Sequence, residues 1–229
     1  MSRRRRLLLA AWLLLAACLA ISCATLGHLQ RDKCPPAKTP CLAVFPHAAW
    51  RALHEIDVTA PFGKKTTLLG LTIGDPAARR LRAVLMTVEG LTLFDAVAGP
   101  EGVKIFRALP PFDAAAFSAG LLADVQAVFL PPPGALLEEG CLPDGRAACR
   151  FRTAAAGVAE IDDAPDGGRT LRIFCKGHRL IKEIDFAPPG KDGFSPTVAV
   201  KTRGALGYSL GLRLLEAESA APVESVFAP

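Results

Sequence analysis

From residue 64 onward, apolar and polar side chains alternate with period two over most of the chain. "KKTTLLGLTIGD" (64–75), "RRLRAVLMTVEG" (79–90), "LTLFDAVAG" (91–99) and "GVKIFRAL" (102–109) read as short strands. The turn sequences between them, "GDPA", "EG" and "GPEG", are so short that adjacent strands must run antiparallel. After Pro110-Pro111 the period changes. "FDAAAFSAGLLADVQAVFL" carries apolar residues at Phe117, Leu121, Val125 and Val128, the spacing of a helix. Asp113 is its expected N-cap, and "PPPG" (131–134) stops it. Phe117, Leu121, Leu122, Val125 and Phe129 give this helix a broad apolar face, which requires a sheet to cover it. Strands resume at "GVAEIDD" (157–163), "RTLRIFCKG" (169–177), "HRLIKEIDFAP" (178–188), "TVAVKTRG" (197–204) and "ALGYSLGLRLLEA" (205–217). About nine to eleven antiparallel strands with one long helix describe a mainly β chain whose sheet curls into a barrel or half-barrel. The folded region starts near "FPHAAWRAL" (45–53), a short segment with helical character that holds Trp50.

The first residues follow a different pattern. "MSRRRR" precedes an eleven-residue apolar run, "LLLAAWLLLAA", that ends at Cys18. A basic stretch, a short apolar core and small residues before the cleavage point make a secretory signal over residues 1–17. "LAAC" (15–18) resembles the bacterial lipobox, which implies that Cys18 becomes the diacylglyceryl- and palmitate-bearing N-terminus. Cys23, in "AISC", is the alternative attachment site. The apolar run from Leu7 to Leu26 would also just span a bilayer if it were retained. Leu19 in place of aspartate implies, by resemblance to sorted lipoproteins, delivery to the periplasmic face of the outer membrane. Residues 18–45, with three prolines after position 34, read as a tether, 46–216 as the domain and 217–229 as a flexible tail.

Removing the signal changes the charge. The chain has 27 Lys+Arg and 22 Asp+Glu, but Arg3 to Arg6 supply four of the 27, which leaves 23 basic against 22 acidic residues. The mature chain is near neutral, with no basic patch interleaved with aromatics, so nucleic acid is not an expected partner. The remaining cysteines fit an oxidising compartment. Cys34 and Cys41 close "CPPAKTPC", and Cys141 and Cys149 close "CLPDGRAAC". Without C-x-x-C spacing, local disulfides are the expected state and zinc the alternative, each loop contributing roughly 2–3 kcal/mol in the chain-entropy model. Cys175, in a strand-like run, reads as a buried thiol.

One motif invites an enzymatic reading. Gly207-Tyr208-Ser209-Leu210-Gly211 matches the G-x-S-x-G nucleophile elbow. Yet Leu206, Tyr208, Leu210, Leu212 and Leu214 alternate strictly with Ala205, Gly207, Ser209, Gly211 and Arg213, as in a half-buried strand. An elbow needs a turn into a helix, then an acid and a histidine downstream, and no aspartate or histidine follows Ser209. The histidines His28, His47, His54 and His178 are scattered, with no metal-ligand spacing. His47 and His54 suit solvated or capping roles. Glu138-Glu139 and Asp162-Asp163 read as solvated charges near turns. No catalytic residue, metal or cofactor is expected.

The lipobox, the tether, the early antiparallel strands and the proline-flanked helix "LLADVQAVFLPP" together resemble the LolA/LolB-like outer-membrane lipoproteins, most closely a LolB-like branch. The specific part is residues 84–133, "AVLMTVEGLTLFD" followed by "GLLADVQAVFLP", with a late "GYSLGL". Phe129 departs from the tryptophan commoner there. The resemblance implies a half-barrel of about eleven strands with a helical lid over a hydrophobic cavity. It implies acyl chains or lipoprotein cargo as ligand, a periplasmic carrier protein as partner and membrane attachment through the anchor. Candidate residues for the cavity wall, or for the filled core of a structural or assembly lipoprotein, are Trp50, Phe94, Phe117, Leu121, Leu122, Phe129, Tyr208, Leu210 and Leu212.

Overall fold

The computed structural model describes residues 26–31, 34, 40–190, 193–204, 207–219 and 227. Five strands come first: β1 (Trp50–Thr59), β2 (Lys65–Asp75), β3 (Arg80–Met86), β4 (Thr92–Gly99) and β5 (Gly102–Ala108). An α-helix, α1 (Ala115–Phe129), follows. Seven further strands follow among the described residues: β6 (Leu136–Cys141), β7 (Ala147–Arg152), β8 (Val158–Asp163), β9 (Arg169–Phe174), β10 (Leu180–Phe186), β11 (Thr197–Thr202) and β12 (Ser209–Ser219). All twelve lie in one antiparallel sheet of order β5-β4-β3-β2-β1-β12-β11-β10-β9-β8-β7-β6. The sheet is two meanders joined where the first strand pairs with the last, and β5 and β6 remain its free edges. It is curled but unclosed.

Period two explains the two faces. Across the second meander the register aligns Cys149, Ile161, Leu171, Ile184, Val200, Leu210 and Val58 into one apolar row. The neighbouring row, on the opposite face, aligns Glu138, Arg150, Glu160, Arg172, Glu183 and Lys201, charges of alternating sign over six strands. Opposite charges facing each other across strands fix this register. Arg150 donates to Glu160 at 2.6 Å and to Glu138 at 3.0 Å, and Arg172 to Glu183 at 3.2 Å. Asp162 is fully buried between Arg146 and Arg172. Burial pushes its carboxyl up to about 6, against the pull of the two guanidiniums. Glu138 and Asp162 are therefore not the solvated turn charges that the sequence suggested, whereas Glu139 is exposed. The doublets fall in β6 and β8, with Glu138 and Asp162 on the charged face.

Several other expectations change. "FPHAAWRAL" does not form a helix. Cys41–Val44 make one 3-10 turn, and Trp50 opens β1 as an inward-facing residue. The indole lies so close over β2 that a Cβ on Gly74 would sit 2.2 Å from it, hence the glycine. Asp113 does not cap α1. Ala114 occupies that position without a side-chain bond, and the buried Ser118 hydroxyl bonds the Phe112 carbonyl instead.

The cysteines pair across the fold rather than locally. Cys34 is bonded to Cys141 and Cys41 to Cys149, with Cα atoms 5.3 and 6.2 Å apart. The local pairs fail because β6 and β7 form a hairpin, which spends the Cys141–Cys149 stretch on strand pairing. The described part of the 18–45 stretch is bound to the domain. The Leu26 N–H donates to His178, Gly27 accepts from Arg150 at 2.6 Å, and Gln30 pairs with Cys141 along the free edge of β6. Phe45 then enters the core against Phe186. The segment thus passes from the charged face, round the β6 edge, to the apolar face, and covers an edge that would otherwise recruit another strand. At the other terminus β12 runs to Ser219, and Phe227 is buried under the Arg80 guanidinium. Cys175 is a half-buried thiol in the β9–β10 turn rather than a core residue.

Candidate functional site: the apolar face beneath the helix

Helix α1 lies on the apolar face of the sheet. Leu122, Val128 and Phe129 are its buried apolar residues, and Leu121 and Val125 pack half-buried beside them. Phe117 is 48% exposed, its ring edge-on to Phe112, because the buried row runs through Ser118 and Leu122, one position further on. Phe129 stacks on Trp50 with ring centroids 6.1 Å apart and leans on His54 at 5.3 Å. Trp50 and His54 are 1% and 2% exposed, and Phe94 packs against Phe112 in the same cluster. Of the candidate wall residues, Trp50, Phe94, Leu122, Phe129 and Leu212 meet in this core, with Leu121 and Leu210 at its margin.

Three polar groups sit between helix and sheet, of which Asp124 and Lys182 were announced by no motif. Asp124 of α1, 3% exposed, accepts from the Lys182 ammonium on β10 and from the Tyr208 hydroxyl just before β12. Lys182 shares the face of Ile184 and Phe186, so its charge points into the apolar side. Tyr208 therefore does not simply continue the leucine row: its ring lies with the apolar side and its hydroxyl pins the helix. Burial, then the neighbouring carboxylate, raises the Tyr208 pKa and keeps the phenol protonated as a donor. A buried ion pair with a hydroxyl contact holds α1 in one position, but contributes little net stability compared with apolar packing.

His54 departs from its expected solvated or capping role. It faces inward between Ala52 and Ile56 in β1, and burial pulls its imidazole down to about 4, so it is neutral at pH 7. Its Nδ1 and the Trp50 Nε1 are both buried without hydrogen-bond partners. Two unpaired polar atoms beside one helix end are a cost of order 1–3 kcal/mol each while the helix is docked.

Ser209 opens β12, half-buried, opposite Thr59 and Lys201, and the strand continues through Ser219 without turning into a helix. The strand–turn–helix of a nucleophile elbow is not there. Among the described residues, no three His, Cys, Asp or Glu side chains could hold a metal ion, and no helix is long and apolar enough to cross a membrane. Cys18 and Cys23 lie outside the described residues. On the charged face, Glu55, Asp57, Asp185 and Arg213 line an open groove of about 730 Å³.

The strand registers bring several of these features to one end of the sheet. Thr59 pairs with Ser209, Ser209 with Lys201 and Lys201 with Glu183. The β1–β2 turn, the Asp124–Lys182–Tyr208 cluster and the β9–β10 turn are therefore neighbours at that end. The β1–β2 turn carries Phe62, 97% exposed, just ahead of Lys64 and Lys65. The β9–β10 turn exposes Lys176, His178 and Arg179, and receives Leu26.

No protein-family model and no curated protein sequence matches the chain. Solved structures do. A LolA superfamily protein from Nitrosomonas europaea is similar at a TM-score of 0.57 and 8% identity, over 82% of this chain and 94% of that one. A domain described as an outer membrane lipoprotein-sorting protein, from Vibrio parahaemolyticus, aligns at 0.47 and 11% identity, over 82% and 93%. A DUF1329 family protein from Desulfovibrio piger aligns at 0.47 and 15%, over 82% and 92%. The first comparison identifies the architecture: a curled, open antiparallel sheet with its helix on the apolar face has the LolA-type fold.

Proposed function

We propose that the protein is a lipoprotein anchored to the periplasmic face of the outer membrane through Cys18, and that it binds or transfers acyl chains or similarly apolar cargo. Helix α1 is its lid. The observation that carries this reading is the shared end of the sheet. The apolar tip Phe62 with its lysine collar, the polar clamp on the lid and the arrival point of the N-terminal segment all lie there. An anchored chain brings that end to the bilayer, where an exposed phenylalanine beside lysines suits anionic headgroups. Releasing Asp124 would lift α1 from Trp50 and His54 and uncover an apolar surface with one indole N–H donor. Such a surface can bury alkyl groups at about 0.8 kcal/mol per CH₂ and bond an ester carbonyl. Cargo would arrive from a periplasmic carrier protein and leave to the membrane. No catalytic group is required.

A structural or assembly role with a permanently closed core is the second reading, and the depth at which Trp50, Phe45 and Phe94 are buried favours it. Native mass spectrometry of the secreted form lacking Cys18 distinguishes the two. Co-purifying lipid mass, increased in Asp124→Ala, supports the carrier. Ligand-free protein in both variants, with no change in Trp50 fluorescence on adding fatty acid, supports the closed core. Phe62→Glu should abolish sedimentation with anionic vesicles and leave Tm unchanged, since that side chain touches almost nothing.

A further inference from the structure

Trp50 and His54 face inward on β1 with Ala52 between them. The Phe129 ring enters that gap, its centroid 6.1 Å from the indole and 5.3 Å from the imidazole. The Trp50 Nε1 and His54 Nδ1 atoms are buried beside it, and neither has a hydrogen-bond partner. An indole nitrogen only donates, whereas a neutral imidazole nitrogen donates or accepts according to its tautomer. A phenyl ring supplies neither oxygen nor nitrogen, so the docked helix leaves two needs unmet at one place. The strand registers carry the gap across the sheet. Ala217, Ala52, Thr72, Ala83, Ala96 and Ile105 are successive partners from β12 through β1 to β5, all on the apolar side. The Thr72 hydroxyl is spent on the Ala52 carbonyl at 3.5 Å. This row of small side chains is a trough, with Trp50 and Leu81 on one bank and His54, Leu85 and Phe94 on the other. It ends at the free edge strand β5, where Ile105 is 44% exposed. Small residues alone would mean only that α1 packs closely; the two orphaned nitrogens on the banks point to a ligand.

We propose that this trough is an acyl slot with Trp50 and His54 as its head-group site, and that it takes an unbranched chain joined through an uncharged carbonyl, an ester or an amide. Phe129 fills the head-group position while α1 is docked and leaves with it. The assignment rests on the carrier function proposed for the lid, and adds which head group and chain length the open lid accepts. The indole N–H donates to the carbonyl oxygen. The imidazole donates to the same group or accepts from an amide N–H. Burial keeps His54 neutral, so neither side chain brings positive charge. An ionised carboxylate would lose its hydration there with nothing to offset the loss. From Ala52 to Ile105 the trough crosses four strand spacings, about 19 Å. An extended chain that advances about 1.3 Å per methylene fills this length with about fifteen carbons.

The test uses the secreted form lacking Cys18, with the uncharged dye N-phenyl-1-naphthylamine as a displaceable probe. Methyl palmitate and N-methylpalmitamide should displace the dye at concentrations about tenfold below those needed for hexadecane or ionised palmitate, the effect of about one hydrogen bond. Esters longer than about sixteen carbons should gain nothing further, since the slot is then full. Trp50→Phe and His54→Leu keep apolar volume and should each cut the ratio of ester to hexadecane affinity several-fold. If Trp50→Phe does not fold, His54→Leu alone decides. Hexadecane bound as tightly as the ester, or an ester preference that survives in His54→Leu and in folded Trp50→Phe, overturns the head-group site and leaves the carrier reading standing. If no ligand displaces the dye, even in Asp124→Ala, the carrier reading falls with it.

Discussion

Replacing Asp124 with alanine removes the single acceptor that Lys182 and Tyr208 share beneath α1. The Lys182 ammonium then remains on the apolar face with no carboxylate, and the Tyr208 hydroxyl with no acceptor. Removing one partner of a buried pair costs about 3–5 kcal/mol. The Lys182 side chain keeps 15% exposure, so the lower end applies, about 3 kcal/mol. For a domain of this size that lowers Tm by roughly 6–12 °C. The compensating variant carries Asp124→Leu with Lys182→Met, which removes both charges and keeps apolar volume. It should return to within about 1 kcal/mol of the parent, since apolar replacement of a buried pair is often neutral. Guanidinium unfolding of a form lacking residues 1–17 measures both effects, with Trp50 as the reporter. It is the sole tryptophan beyond residue 12, and it stacks on the helix through Phe129. The clamp is refuted if Asp124→Ala costs less than about 1 kcal/mol, or if the two replacements combine additively rather than compensating.

Three further outcomes follow from residues already described. His54 has a folded pKa of about 4 against an ordinary 6.5, so the unfolded chain binds the extra proton; its penalty is absent above pH 6.5 and grows as pH falls towards 4. At pH 5 this amounts to about 2 kcal/mol, and His54→Leu should flatten the fall in urea-derived stability between pH 6.5 and 4; an unchanged slope would mean the imidazole is solvated. Asp162, raised to about 6, has the opposite sign, stabilising as pH falls from 6 towards 4, so Asp162→Asn should steepen the acid loss over that window, as read from unfolding curves. Leu210→Ala should cost roughly 2–4 kcal/mol and Ser209→Ala under about 1, with added fatty acid narrowing the difference if cargo occupies the apolar face; an esterase activity lost in Ser209→Ala would reinstate the elbow.

The hairpins of β2 to β5 and β8 to β12 were readable because turn residues and period two act locally. The helix was readable for the same reason, although Phe117 was assigned to the wrong side by one position. β1 was obscured because its inward residues are Trp50, Ala52 and His54, which mix large, small and polar side chains and blur the alternation. β6 and β7 were obscured because a short edge strand with two glutamates looks like a loop until Arg150 is placed beside it. The candidate site was half readable. Apolar wall residues follow from pattern, but Asp124 meets Lys182 and Tyr208 at separations of 58 and 84 residues, which one sequence does not encode locally. The cysteine pairing failed for that same reason. The charged ladder did leave a signal: "RFR" and "AEID" set charged residues alternately with apolar ones.

Strand β1 lies in the middle of the sheet although it is the first strand in the chain, and Thr59 finds its partner Ser209 150 positions later. During synthesis the chain emerges N-terminus first, so β1 can form its hairpin with β2 while its other side stays unpaired until nearly the whole protein has been made. During that interval the first meander has an exposed strand edge at each side, the condition in which chains pair with one another or need a chaperone. The final closure joins distant segments and is slower than any of the hairpins. The same arrangement reverses the usual tolerance of C-terminal loss. A chain cut at residue 208 would lose not a margin of the sheet but the seam between its five-stranded and six-stranded parts.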